Sequence, residues 1–203
     1  MAIDAVDLTD PVATALLAGS ALDRAGRRYA LMGGLLLAAY GEPRETHDAD
    51  IAVVDLSVDE VRELLDSAGL SAAVAIPDAG LTFGGLVLGR VTLLGGDEHL
   101  GLNTVDVVRT RSPRYDLAAI DRSLRVPLRN STIQALAPED FVVYKALATR
   151  DKDLDDAASV LRRSGDLLDL DLVESEIEAL AAEIPDFDVR GKWAKIRERR
   201  RAR

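Results

Sequence analysis

Asp48 and Asp50 stand two positions apart at the head of an apolar run, Asp48-Ala49-Asp50-Ile51-Ala52-Val53. Residues i and i+2 of a strand point to the same side. A strand here offers two carboxylates to one face and turns Ala49 and Ile51 into the core. Carboxylates crowded together repel, and burial sharpens the repulsion. A divalent cation relieves it: Mg²⁺ prefers oxygen ligands and commonly takes one or two carboxylates together with phosphate oxygens. The plainer alternative is a solvated strand end that begins with acidic residues. Asp106 lies among valines in Asn103-Thr104-Val105-Asp106-Val107-Val108. A carboxylate in an inner strand either pairs with a base, such as Arg109 or Arg111, or ligates a metal. On neighbouring strands the three carboxylates form a plausible two-metal site for phosphoryl transfer.

Gly33-Gly34 divides a short apolar strand, Tyr29–Met32, from a helical stretch, Leu35–Tyr40. A helix start presents unpaired N–H groups and a partial positive charge, and glycines let a phosphate approach the backbone. The pair suits a triphosphate, or else a tight turn with close helix–strand packing. Further along, Lys145 lies one turn from Phe141 and one from Thr149 on a mostly apolar helix. There it either snorkels or reaches the β- and γ-phosphates. Asp153 and Asp156 share a helix face and are able to anchor Lys145 or Arg150, which leaves a structural salt-bridge network as the alternative. His47 adjoins the acidic pair and His99 lies in a polar turn; neither is assigned a role.

The elements that must position these groups follow from periodicity and punctuation. Asp10 and Pro11 open a helix over residues 10–27. Ala49–Val54 reads as a strand. Ser57-Val58-Asp59-Glu60 is a capping box for a helix to about Ala68, stopped by Gly69. Ala72–Ile76, Gly85–Leu94, Asn103–Val108 and Leu124–Leu128 are strand candidates, with turns at Pro77–Gly80 and Gly95–Glu98. Helices are expected at Pro138–Thr149, Lys152–Ser164, Asp171–Ile184 and Val189–Arg200. The predicted fold class is α/β (α+β): a mixed-sheet core over residues 1–130 and a helical C-terminal region over 131–203.

A chain of 203 residues with 48% hydrophobic and 30% charged residues is an ordinary globular protein. No cysteine is present and only two histidines, which excludes disulfides, thiolate zinc sites, cysteine nucleophiles and histidine-rich metal sites. The acidic N-terminus has neither the basic stretch nor the apolar run of a signal peptide, and no apolar run approaches a membrane span, so a cytoplasmic location with no membrane partner is expected. Charge is unevenly placed. Residues 190–203 carry eight basic residues against Glu198, a net of +7, while the whole chain carries −10, leaving −17 for residues 1–189. The tail is either a solvated, fraying helix end or a local grip on phosphates.

The run LMGGLLLAAYGEPRETHDADIAV, followed by a lone Asp106 on a later strand, resembles the nucleotidyltransferase superfamily that includes DNA polymerase β. Gly41, Arg44, Thr46, Asp48 and Asp50 in GEPRETHDAD, with Lys145, Arg150, Lys152, Asp153 and Asp156 in PEDFVVYKALATRDKDLDDAASVL, resemble the AbiEii/AbiGii-type toxins of bacterial toxin–antitoxin systems. The resemblance covers roughly residues 28–55 and 100–163. It departs at Leu35, where many superfamily members carry a serine that touches the phosphates, and after residue 165.

The resemblance implies a transferase that moves a nucleoside monophosphate from an NTP to an acceptor hydroxyl and expels pyrophosphate. It implies catalysis and metal binding by Asp48, Asp50 and Asp106, with two Mg²⁺ ions. It implies nucleotide binding by Gly33, Gly34, Arg44, Thr46, Lys145, Arg150 and Asp153. A tRNA acceptor heads the candidates, with a cognate antitoxin as a possible protein partner. Relatives with similar cores modify aminoglycoside-type antibiotics or proteins instead. A catalytically idle nucleotide-binding module is a further alternative.

Overall fold

The structure is a computed structural model in which residues 9–94 and 102–202 are described. A seven-stranded mixed sheet forms the centre, flanked by helices. Helix α1 (Pro11–Arg24) is capped by Asp10, whose carboxylate accepts from the Val12 and Ala13 N–H groups. It packs on β1 (Tyr29–Met32), β2 (Ala49–Val53) and, later in sequence, β5 (Leu102–Thr110). Helix α2 (Gly33–Tyr40) begins at Gly33, two residues before the expected start at Leu35. The capping box of α3 (Val58–Ser67) is formed as predicted, with Ser57 and Glu60 each bonding the other's backbone.

The strand order is β3 (Ala72–Phe83), β4 (Leu86–Leu94), β5, β2, β1, β7 (Ser131–Ala135) and β6 (Leu124–Leu128). Strand β1 runs antiparallel to β2, and β2 runs parallel to β5. Strand β4 (Leu86–Leu94) lies antiparallel between β5 and β3 (Ala72–Phe83). Two sequence expectations are corrected on this side. The turn predicted at Pro77–Gly80 is a bulge: β3 continues to Phe83, and its register against β4 shifts between Ile76 and Leu81. Pro77 cannot donate to the ladder, which edge strands and bulges tolerate. The bulge carries Asp78 to the start of α3, where its carboxylate accepts from the Val58 N–H at 3.0 Å. The turn predicted at Gly95–Glu98, together with His99, lies outside the described residues.

Two elements were not anticipated. Helix α4 (Pro113–Asp121) starts at Ser112, whose hydroxyl accepts from the Tyr115 N–H at 3.1 Å, and it buries Tyr115, Ala119 and Ile120. Strand β6 (Leu124–Leu128) is joined by β7 (Ser131–Ala135), which pairs in parallel with β1. The sheet therefore runs to Ala135, and the change to helix comes after that residue, not at 130. Helices α5 (Pro138–Leu147), α6 (Asp151–Ser164), α7 (Leu170–Glu183) and α8 (Val189–Arg201) then pack on one another, with α6 also against α2. The last helix is not a fraying tail: Val189, Trp193 and Ile196 are buried. No helix among the described residues is long and apolar enough to cross a membrane.

Candidate active site

One register line crosses four adjacent strands. Met32 of β1 pairs with Asp50 of β2, Asp50 with Asp106 of β5, and Asp106 with Arg90 of β4. Side chains at paired positions share a face of a sheet, and Asp48, two residues before Asp50, shares that face. The three carboxylates meet: each offers an oxygen within 4.8 Å of the others, the one such acidic group among the described residues. Asp106 is buried, while Asp48 and Asp50 are partly exposed as whole residues, the Asp50 carboxyl being packed inward against Gly33.

Crowding shows in Asp50. Burial first, then the charges of Asp48 and Asp106, pushes its carboxyl up to about 7, against the opposing pull of Lys145 and Arg150. Oxygen-only donors at this spacing suit a hard divalent cation: around one Mg²⁺, ligand oxygens sit roughly 3–4 Å apart, given metal–oxygen distances near 2 Å.

Gly33 closes one flank of the register line. Its φ of +68° is the left-handed region, and a Cβ placed there would lie 1.8 Å from an Asp50 carboxylate oxygen. The close packing that the sequence offers as one reading of the glycine pair is present against Asp50, and the pair also opens a helix whose first N–H groups receive no side-chain cap. Gly34 lies under Thr46, whose hydroxyl would be 2.7 Å from a Cβ at position 34 and donates to Asp48 Oδ1 at 3.0 Å.

Arg90 closes the other flank. Its Nε donates to Asp106 Oδ1 at 2.5 Å and its Nη2 to Oδ2 at 2.8 Å, while Asp48 lies 3.9 Å away. The base beside Asp106 is thus neither of the two anticipated. Arg109 pairs with Asp78, and Arg111 with Asp186. Arg90 was missed in the sequence although it interrupts an otherwise apolar strand, Leu86-Val87-Leu88-Gly89-Arg90-Val91. That interruption was the available signal.

The remaining predicted residues form a chain of charges behind the triad. Lys145 is buried, with Asp153 at 2.6 Å and Asp156 at 2.8 Å. Arg150 binds both oxygens of Asp153, and Arg44 reaches Asp156 at 3.4 Å. Burial pushes the Asp153 carboxyl up, but hydrogen bonds from Arg150 and the charge of Lys145 outweigh it and hold its pKa below the usual value. Lys145 thus acts as the lock between α5 and α6, while Arg150, whose charge reaches Asp50, and Arg44 are the more exposed cations of the network. Ser159 of α6 fixes the intervening loop by accepting from the Glu42 N–H at 3.2 Å. His47 is exposed beside Glu45.

No family model matches the chain, and no curated protein matches it by sequence. Solved structures do match in fold. An antigenic nucleotidyltransferase-like protein from Paracoccidioides brasiliensis aligns over 94% of this chain and 92% of its own, at 16% identity and a TM-score of 0.53. A protein from H. pylori, assigned as a nucleotidyltransferase, aligns over 92% and 89% at 13% identity and a TM-score of 0.52. The antibiotic-resistance factor ANT(2'')-Ia aligns over 98% and 100% at 13% identity and a TM-score of 0.50. At such identities the likeness is one of fold. The chain has a nucleotidyltransferase-like fold, a mixed sheet flanked by helices.

Proposed function

We propose that this protein is a Mg²⁺-dependent nucleotidyltransferase that moves a nucleoside monophosphate from an NTP to an acceptor hydroxyl. The observation that carries the reading is the meeting of Asp48, Asp50 and Asp106 within 4.8 Å on one face of a sheet of this fold. Asp48 and Asp50 would hold the metal, which when bound supplies neutralisation of the phosphates and polarisation of the reacting oxygens. The first N–H groups of α2, at Gly33 and Gly34, would receive the triphosphate. Thr46, seated over Gly34, offers the hydroxyl that Leu35 lacks. Arg44 and Arg150 steady the departing pyrophosphate, and Lys145 and Asp153 fix Arg150 in place. Asp106 has both oxygens bonded to Arg90, so accepting the acceptor's proton there requires that pair to loosen. On this reading the chain works as two parts: an α/β core that carries the carboxylates, and a C-terminal helical region that brings the cations.

For the acceptor we favour RNA, with tRNA 3′ ends first among candidates and a toxin-like role for the enzyme, on the strength of the AbiEii/AbiGii-type motifs. Support comes from α8, where Lys195, Arg200 and Arg201 form no salt bridge among the described residues, Lys195 acting only at longer range on Asp151, whereas Arg190, Arg197 and Arg199 are paired with glutamates or aspartates. A small-molecule acceptor is the second reading, favoured by the full-length fold match to an antibiotic-resistance factor. Incubation with each α-labelled NTP, Mg²⁺ and either total cellular RNA or a panel of aminoglycosides separates them. Label in RNA is expected. Label only in the small molecules would overturn the RNA assignment.

A further inference from the structure

We propose that Arg90 is a built-in cation standing at Asp106 in place of a second metal, so that the site takes one divalent ion, held by Asp48 and Asp50. The inference rests on the nucleotidyltransferase reading and replaces the two ions that the family resemblance implies.

The geometry carries it. Both oxygens of Asp106 accept from one guanidinium, at 2.5 and 2.8 Å. A two-pronged contact of this kind uses the carboxylate's favoured lone pairs and fixes its plane. The pair is set by the sheet: Arg90 is directly opposite Asp106 in an antiparallel ladder, so its Cβ cannot drift from that partner. Asp106 is 5% exposed at its side chain, which gives solvent little access to replace the arginine. A guanidinium keeps its charge at any pH a protein survives. Three ionised carboxylates beside it sum to two negative charges, which one Mg²⁺ balances. A second ion shared by Asp106 would face a fixed positive charge at hydrogen-bonding distance from its own ligand, an unfavourable arrangement even with the Arg90 side chain 34% exposed. Asp48 is held by Arg90 only at 3.9 Å and accepts from the Thr46 hydroxyl at Oδ1, which leaves lone pairs on both of its oxygens for a metal.

The number of bound ions tests this independently of turnover. Mn²⁺ would be counted by electron paramagnetic resonance in ternary complexes with the α,β-methylene analogues of ATP, CTP, GTP and UTP in turn. The wild-type chain is expected to hold one Mn²⁺ per complex, R90Q two, and R90K, which keeps the charge, one. A count of two in the wild type overturns the inference. So does a count of one in an R90Q chain whose melting curve shows it to be folded. If neither Mn²⁺ nor any analogue binds to any of the chains, the nucleotidyltransferase reading itself fails and this inference falls with it.

Discussion

Gly33 and Asp50 hold each other in place, and the site has no slack between them. Substituting alanine puts a Cβ 1.8 Å from the Asp50 carboxylate and forces an L side chain to φ +68°. G33A is expected to destabilise the fold by about 1–3 kcal/mol and to abolish transfer, as read by chemical denaturation and pyrophosphate release. Full activity in G33A would mean that Asp50 does not sit where the reaction needs it. At this scale the sequence was informative about the acidic residues. A period of two fixes Asp48 and Asp50 on one face, and valines around Asp106 mark it as an inward strand. Arg90 was not legible in the same way. Its contact depends on which residue of β4 stands opposite Asp106, and interstrand register is set by the whole ladder, not by local pattern.

Among the elements, the α5–α6 corner depends on Lys145. Removing its ammonium leaves Asp153 and Asp156 buried with only Arg150 and Arg44 to offset them. K145A is expected to cost about 3 kcal/mol, by the usual penalty for breaking a buried ion pair. A loss under about 1 kcal/mol in urea titration would show the network to be dispensable. A second buried network joins α4, β5 and α5. Asp116 accepts from the Thr110 N–H at 2.8 Å and from the Tyr144 hydroxyl at 2.9 Å, and burial pushes its carboxyl up to about 6. Because the folded value is above the ordinary 3.8, the folded state holds this proton more tightly than the unfolded state does. Its stabilising effect is full below pH 4 and is lost as pH rises through about 6. Relative to D116N, which keeps the accepting oxygen, the wild type should gain roughly 3 kcal/mol as pH falls across that window. A pH-independent difference would contradict this. The helix α4 and strand β7 that belong to these layers were hidden for physical reasons. Of β7 only Ile133 and Ala135 are buried, which is too short an alternation to stand out, and the Ser112-Pro113 start of α4 is a signal that was not used. Pro77 and Gly80 resemble a turn because bulges and turns draw on the same residue types.

Taken as a whole, the molecule opposes an acidic body to a basic last helix, and α8 serves packing and charge together. Deleting it would remove Trp193 and Ile196 from the core, so the RNA reading is better tested by K195Q/R200Q/R201Q, which keeps the helix. That variant should label RNA less and show a shallower salt dependence, since each lost phosphate contact lowers the slope by nearly one; an unchanged slope would remove α8 from RNA binding. The fold class was legible from the alternation of strands and helices. The acceptor was not, because acceptor recognition resides in surface contacts that no local pattern specifies. The central claim is that three carboxylates on one register line perform transfer. Its most direct measurement is Mg²⁺-dependent pyrophosphate release from NTP in the presence of RNA, comparing the wild type with D48A, D50A and D106A, each shown to be folded by circular dichroism. The expected result is release by the wild type and none by any of the three. Retained release in two of the three would contradict the account.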